Sequence, residues 1–341
     1  MRLGRTDIPA GRSGFGALPV QRVPLADAVR LLRNAYEGGF NFFDTARVYT
    51  DSEEKLGAAL SDVRSHIFIA TKSPATNRKD LLRDIDISLQ KLKTDHVDIL
   101  QLHNPAVLPD PDDPESSYQG LLEAQRQGKT RFIGVTNHRL DNALAAAKSG
   151  LYDTVQFPLS SLSSEKDLEL CAVCREHDVG LIGMKGLSGG LITNAASTFA
   201  FLRQYDNILP IWGIQRQSEL DEFLAMEAKP PALDDSLRAV IDRDRKELSG
   251  DFCRGCGYCL PCPAGIEIPT AARMSLMLRR SPYGHFIQDD FAAQMEKIEG
   301  CLHCGHCKAH CPYHLDTPAL LRRMLEDYRA FREEHRSEII H

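Results

Sequence analysis

Residues 39–49 read GFNFFDTARVY. The apolar run at 40–43 has the composition of a fully buried strand. Yet it ends in the carboxylate of Asp44, with the phenol of Tyr49 five residues on. A buried strand tolerates such groups only where it leaves the core, so the fold turns on whether other strands end in the same way. They do. HIFIATK (66–72), VDILQLH (97–103), RFIGVTN (131–137), TVQFPLS (154–160), VGLIGMKG (179–186) and NILPIWG (207–213) are further short apolar runs. Lys72, His103, Asn137, Gln156 and Lys185 each sit in or just past the C-terminal part of a different one.

Helical patterns separate these runs. ADAVRLLRNAYEGG ends in Gly38, a candidate for the residue just past a helix, and LLRDIDISLQKL sets Leu82, Ile85, Leu89 and Leu92 on one face. Strand then helix, repeated, predicts a parallel sheet. An open doubly wound sheet would carry a Gly-rich phosphate loop after its first strand, and no GxGxxG follows residue 44. Polar groups contributed by many successive strand ends fit the mouth of a closed (β/α)8 TIM barrel instead. Seven strands are legible from residue 40 onward, and KPPALDD (229–235) is the expected eighth.

Bulk composition narrows the function. A chain of 341 residues with 43% hydrophobic and 26% charged residues is long enough for one large domain and a small one. A formal net charge of −6, with no strongly basic block, argues against nucleic acid as a partner. There is no run of 18 apolar residues, and MRLGRTDIPAGRSG lacks the apolar stretch of a signal peptide. The expectation is therefore a cytoplasmic protein that engages no membrane.

The cysteines are unevenly spread. Of ten, none falls in the first 170 residues and eight lie between 253 and 311. In a reducing compartment such clustering favours metal or cluster ligation over disulfides. The strand–helix alternation also stops near residue 245. We therefore expect a barrel over 1–245, a small, mostly helical cysteine-rich domain over 246–330 and a tail over 331–341. Within the second domain PTAARMSLMLRR reads as one helix. DTPALLRRMLEDY reads as another, with Asp316 or Thr317 as N-cap, Pro318 at N1 and Leu321, Met324, Leu325 and Tyr328 on its apolar face.

The strand-end residues suggest a reaction. A buried lysine is costly unless paired, and Asp44 is the natural partner of Lys72. If that ammonium also reaches Tyr49, it favours the phenolate and lowers a pKa that is ordinarily about 10. Such a phenol can give and regain a proton near neutral pH. His103, from the next strand, would orient and polarise a carbonyl. A proton donor beside a positioned carbonyl calls for a hydride from a cofactor.

GFNFFDTARVYTDSEEKLGAAL, IATKS, VDILQLHN, GKTRFIGVTNH and TVQFPLS together resemble the motifs of the aldo/keto reductase superfamily, through most of residues 1–240. The resemblance implies a barrel that binds a nicotinamide dinucleotide without a Rossmann domain. It implies a catalytic tetrad of Asp44, Tyr49, Lys72 and His103, with Tyr49 as general acid. It further implies that Thr136, Asn137 and Gln156 meet the nicotinamide carboxamide. GMKGLSGG (183–190) resembles the pyrophosphate loop of the iron–sulfur branch of that family, which carries Lys185, Gly186, Leu187 and Gly189 over as cofactor contacts. Basic side chains after the seventh strand usually hold the 2′-phosphate of NADPH. Here PIWGIQRQSELDEF offers Arg216 alone. One guanidinium can grip a phosphate, so NADPH is the expected cofactor and NADH the alternative.

The second cysteine run, Cys301-x2-Cys304-x2-Cys307-x3-Cys311-Pro312, has the spacing of bacterial ferredoxins, in which the fourth cysteine serves the other cluster. The first run, Cys253-x2-Cys256-x2-Cys259-x2-Cys262-Pro263, has a final gap one residue shorter. By the crossed rule Cys253, Cys256, Cys259 and Cys311 would hold one [4Fe–4S] cluster, and Cys301, Cys304, Cys307 and Cys262 the other. Thiolates are soft donors suited to iron, and Gly255, Gly257 and Gly305 would let the backbone approach the cluster sulfides. The competing assignment is two zinc ions, with His303, His306 and His310 as further ligands, but zinc sites usually pair separated CxxC knuckles. Cys171 and Cys174, one turn apart in SEKDLELCAVCREH, read as core filling rather than a redox pair.

The leading expectation is an NAD(P)H-dependent reductase of a small carbonyl compound, or dehydrogenase of the corresponding alcohol, with two [4Fe–4S] clusters appended. The alternative is an electron-transfer protein that uses the cluster module with a redox partner protein and the barrel as platform. A third reading makes the C-terminal domain a lid over the barrel mouth.

Overall fold

The computed structural model describes residues 1–248, 252–280 and 283–339, and the chain divides into two compact units. The first comprises Met1–Gly186 and Ala196–Ile241, the second Leu187–Ala195 and Asp242–His341.

The first unit is a closed barrel of eight parallel strands: β1 (Gly14–Gly16), β2 (Phe42–Asp44), β3 (Phe68–Ser73), β4 (Val97–His103), β5 (Thr130–Thr136), β6 (Thr154–Pro158), β7 (Gly180–Met184) and β8 (Ile208–Gly213). A helix follows each of the eight strands, and β1 closes the ring by pairing with both β2 and β8. The expected eighth strand at 229–235 is a loop between the helices Gln217–Ala228 and Asp235–Glu247. Pro230 and Pro231 have no N–H to give a ladder, so that segment could not have joined the sheet. The true eighth strand, Gly-Phe-Gly, is too short and too glycine-rich to announce itself. A Cβ on Gly14 would meet the Ile211 and Phe42 side chains at 3.0 Å, so any larger residue there would crowd the closure.

The barrel interior is layered. Phe42, Ala70, Ile99, Ile182 and Leu209 form its lower layer, and the N-terminal residues Leu3, Ile8 and Ala10 pack against them. Because side chains alternate along a strand, residues two further on face inward one layer higher. That places Asp44 above Phe42, Lys72 above Ala70 and Gln101 above Ile99. On β2, β3 and β4 the upper layer is polar, whereas Met184 and Ile211 keep it apolar on β7 and β8, so the polar side of the mouth is where a site can sit.

Two helix details differ from the sequence reading. The left-handed residue after helix Leu25–Glu37 is Gly39 (φ 103°), while Gly38 stays right-handed. Helix Arg78–Leu92 buries Leu81, Ile85, Ser88 and Leu92, a face rotated from the one expected, with Leu82 and Leu89 half-buried. Cys171 and Cys174 lie buried in helix Glu165–Glu176, whose Ser164 cap and Asp167 form a capping box.

The second unit has its own core, including Ile266, Ile268, Met274, Ile287, Leu321 and Tyr328. The segment read as one helix is two, Ile268–Ala271 and Met274–Arg280. The last helix, Thr317–Glu334, is capped by Asp316, whose side chain accepts from Ala319 N, and it continues past residue 331 where a tail was expected. Pro318 is its second residue rather than its first. Residues Leu187–Ala195, expected as part of the barrel, group with this unit. Arg273 Nη1 donates to Gly189 O at 2.8 Å, and Arg280 Nε donates to Leu191 O at 2.9 Å. Arg280 also pairs with Asp244 and Glu247.

Candidate active site and cysteine cavities

The barrel's register sets residues far apart in sequence opposite one another on neighbouring strands. Asp44 lies opposite Gly16 and Ala70, Lys72 opposite Gln101, His103 opposite Thr136, and Thr136 opposite Gln156. Lys72 Nζ donates to Asp44 Oδ1 at 2.6 Å and to the Thr45 carbonyl at 2.7 Å. Both side chains are almost fully buried. Burial pushes Asp44 up, while Lys72 and the Gln156 amide pull it back. Burial likewise pushes Lys72 down, while Asp44 and Glu53 hold it up. At 2.6 Å the pair is an ion pair, since a charge-assisted hydrogen bond in this setting stabilises both ions.

Tyr49 comes from the loop after β2, where its N–H donates to Ala46 O. The Lys72 ammonium stands 5.4 Å from the centre of the Tyr49 ring, and the His103 ring meets Tyr49 edge-on at 5.7 Å. Phenol, ammonium, imidazole and carboxylate therefore converge. Burial, and then the charge of Lys72, push His103 down to about 3, so its imidazole is neutral at physiological pH. A neutral imidazole next to an ammonium is a hydrogen-bonding group, not a proton reservoir.

The expected cofactor residues occupy distinct positions. Thr136 and Gln156 face inward on adjacent strands, and Thr136 Oγ1 lies 3.7 Å from Met184 Sδ. Asn137 is fully buried, with its amide clamped between Pro105 O (2.8 Å) and Arg139 N (2.8 Å), so it also fixes the two neighbouring loops. Lys185 has a left-handed backbone (φ 61°). A Cβ on Gly186 would come within 2.5 Å of the Trp212 ring. Arg216 is exposed at the N-cap of helix Gln217–Ala228. Leu187 and Gly189 belong to the second unit.

Sequence reading passed over Gln101. Its Nε2 donates to Gln156 Oε1 at 2.9 Å, and its own Oε1 is buried with no hydrogen-bond partner. The signal was present: Gln101 is two residues before His103, hence on the same face of β4.

In the second unit the cysteines wall two cavities. One is lined by Cys253, Cys256, Cys259, Cys307 and Cys311, with Tyr313 and His310. The other is lined by Cys262, Cys301, Cys304 and Cys307, together with Cys259, His303 and His306. Cys259 and Cys307 line both cavities. Among the described residues no group of three or more His, Cys, Asp or Glu side chains converges to hold a single metal ion. A zinc ion needs four donors at about 2.0–2.3 Å around one point. Thiols that surround a cavity instead suit a cube whose corners lie apart. Burial, and then neighbouring Cys253, Cys256 and Cys307, push the Cys259 thiol up to about 12. Thiolates crowded in this way are stabilised by nearby positive charge. Gly255, left-handed at φ 64°, turns its N–H onto Cys253 Sγ at 3.3 Å.

Comparison with known proteins gives two matches along the chain. Residues 8–206 match the aldo/keto reductase family, and residues 252–316 match the 4Fe-4S dicluster domain. The chain is 32% identical over 210 residues to L-galactose dehydrogenase of Arabidopsis thaliana, covering 56% of this chain and 66% of that one. It is 31% identical over 170 residues to methylglyoxal reductase DkgB of Escherichia coli O157:H7, covering 47% and 61%. These matches span less than two thirds of either relative. An aldo/keto reductase from Klebsiella pneumoniae, solved with NADP and acetate, shares the fold at a TM-score of 0.62 and 20% identity, over 71% of this chain and 94% of that one.

Proposed function

Because the chain belongs to the aldo/keto reductase family of oxidoreductases and carries a 4Fe-4S dicluster domain, we propose that it reduces an aldehyde or ketone with NADPH, or oxidises the corresponding alcohol. The observation that carries this reading is the convergence of Tyr49, Lys72 and His103 above the buried Asp44.

The residues fit a nicotinamide dinucleotide. Gln101 Oε1 is a buried acceptor without a donor, beside Gln156 at the level that Thr136 completes. Thr136, Asn137 and Gln156 would meet the nicotinamide end, Lys185 and Gly186 the pyrophosphate, and Arg216 the 2′-phosphate. When bound, the cofactor supplies a hydride. The protein supplies the rest. His103, neutral, hydrogen-bonds the substrate oxygen and orients it. Tyr49 gives its hydroxyl proton to that oxygen. Lys72 stabilises the phenolate that remains, and Asp44 holds the ammonium in place and keeps it charged. In alcohol oxidation the same proton returns to Tyr49.

Cys253, Cys256, Cys259 and Cys311 would hold one [4Fe–4S] cluster, and Cys262, Cys301, Cys304 and Cys307 the other. When present, the clusters supply one-electron chemistry. Hydride transfer moves two electrons, so the barrel reaction runs without them. One observation favours an additional relay role: Cys259, Cys307 and Ile268 line both cavities, so a single layer of side chains separates them. A redox partner protein would then serve this unit. A reducing, cytoplasmic setting belongs to the same reading.

The test is anaerobic purification with iron and sulfide analysis, followed by a screen of aldehydes and ketones with NADPH and NADH. Turnover that survives Tyr49→Phe unchanged would end the barrel reading.

A further inference from the structure

His306 and His310 lie one turn apart, at the start and just past the end of the short helix His306–Ala309. Their rings stack with centroids 4.0 Å apart and planes 29° from parallel. His306 lines the cavity of Cys262, Cys301, Cys304 and Cys307, whereas His310 lines the other. The two nitrogens that matter have different surroundings. His310 Nδ1 stands 2.9 Å from His306 O, and because a carbonyl only accepts, that nitrogen carries the proton. His306 Nε2 is buried and has no hydrogen-bond partner. A buried polar nitrogen left unpaired is costly, and in its N–H form such an atom calls for an acceptor. The cavity that His306 lines, walled by five cysteines, offers one.

We propose that His306 donates an Nε2–H hydrogen bond to the sulfur atoms of the [4Fe–4S] cluster held by Cys262, Cys301, Cys304 and Cys307, and thereby raises the reduction potential of that cluster. It rests on the ligand assignment proposed above. The physical basis is that reduction adds negative charge to the cluster, and a hydrogen bond to sulfur stabilises the more negative state. The other cluster has a donor of its own, the Gly255 N–H on Cys253 Sγ, which a change at His306 leaves in place. His306 is thus a positioning and tuning group, not a ligand.

The test uses full-length protein, purified anaerobically and titrated with dithionite while both clusters are followed by electron paramagnetic resonance. In His306→Leu the signal of the affected cluster is expected to shift to lower potential by about tenfold in its oxidised-to-reduced ratio, or about 59 mV for one electron. His306→Gln retains an N–H donor and should lie close to the parent, and the other cluster should not move in either variant. A second measurement needs no variant: protein labelled with 15N-histidine should show a weak nitrogen coupling to one reduced cluster. An unchanged potential in His306→Leu with full iron content, or no histidine coupling in the parent protein, overturns the inference alone. Iron and sulfide content for a single cluster overturns the ligand assignment and the inference with it.

Discussion

Lys72 Nζ lies 2.6 Å from Asp44 Oδ1 while its ammonium faces the Tyr49 ring at 5.4 Å, so one buried cation serves both the fold and the phenol. Removing either partner leaves an uncompensated charge in the barrel. Lys72→Met or Asp44→Asn should therefore cost roughly 3–5 kcal/mol of stability. In a domain of this size that is a melting temperature lower by roughly 6–20 °C by calorimetry. The double variant should regain much of the stability and none of the turnover. A double variant that melts no higher than the single ones would show that the pair is not the stabilising element.

Tyr49→Phe removes the proton and keeps the ring against His103. Carbonyl reduction should fall by about 10²–10⁴-fold, the range for a lost general acid. The iron–sulfur chromophore should be unaltered in the visible spectrum. Loss of both together would mean that the substitution had damaged the protein globally.

His103 sets a pH dependence of stability. Its folded value is pushed down to about 3 from an ordinary 6.5, chiefly by burial. Between those limits the unfolded chain binds the proton and the folded protein does not. Stability is therefore fully present above 6.5 and is lost as the pH falls toward 3, at up to about 1.4 kcal/mol per pH unit. His138, buried and likewise lowered, adds in the same direction. His103→Gln should flatten the acid limb of a denaturation series over this window, and an unchanged limb would refute the assignment.

Arg216 is exposed at the start of helix Gln217–Ala228. A charge-assisted hydrogen bond to a phosphate is worth about 1.5–3 kcal/mol. Arg216→Ala should accordingly raise KM for NADPH about tenfold or more and leave KM for NADH and both kcat values nearly constant. Equal losses with the two cofactors would assign Arg216 to helix structure instead.

The ten cysteines should separate into two behaviours. Cys174 is fully buried in helix Glu165–Glu176, and burial pushes its thiol up to about 12. Cys174→Ala should retain full iron and sulfide content at a modest loss of stability. Cys259→Ala, at the wall common to both cavities, should lower the iron content and bleach the visible absorption. Full iron in Cys259→Ala would remove it from the ligand set.

Much of this protein was legible in its sequence because periodicity and short-range spacing encode it. Buried parallel strands read as apolar runs, and their polar ends named Asp44, Lys72, His103 and Gln156. Three cysteines two residues apart specify a loop around a cluster before any coordinate is known. The errors fell where local signal is weak. A three-residue strand, Gly14–Gly16, has no periodicity to read, and helix Arg78–Leu92 buries Ser88, which no apolar pattern could nominate.

The sequence by itself determined the element types, the parallel sheet and which residues could carry chemistry. Only the tertiary structure decided which of them meet. Inter-strand register put Lys72 beside Gln101 and His103 beside Thr136, and it depends on closure of the whole ring rather than on any one strand. The same holds in the second unit, where Cys262 shares a cavity with Cys301, Cys304 and Cys307, and Cys311 with Cys253, Cys256 and Cys259. Contacts between residues about thirty or more positions apart arise from packing of the intervening chain, which no local stretch of sequence contains.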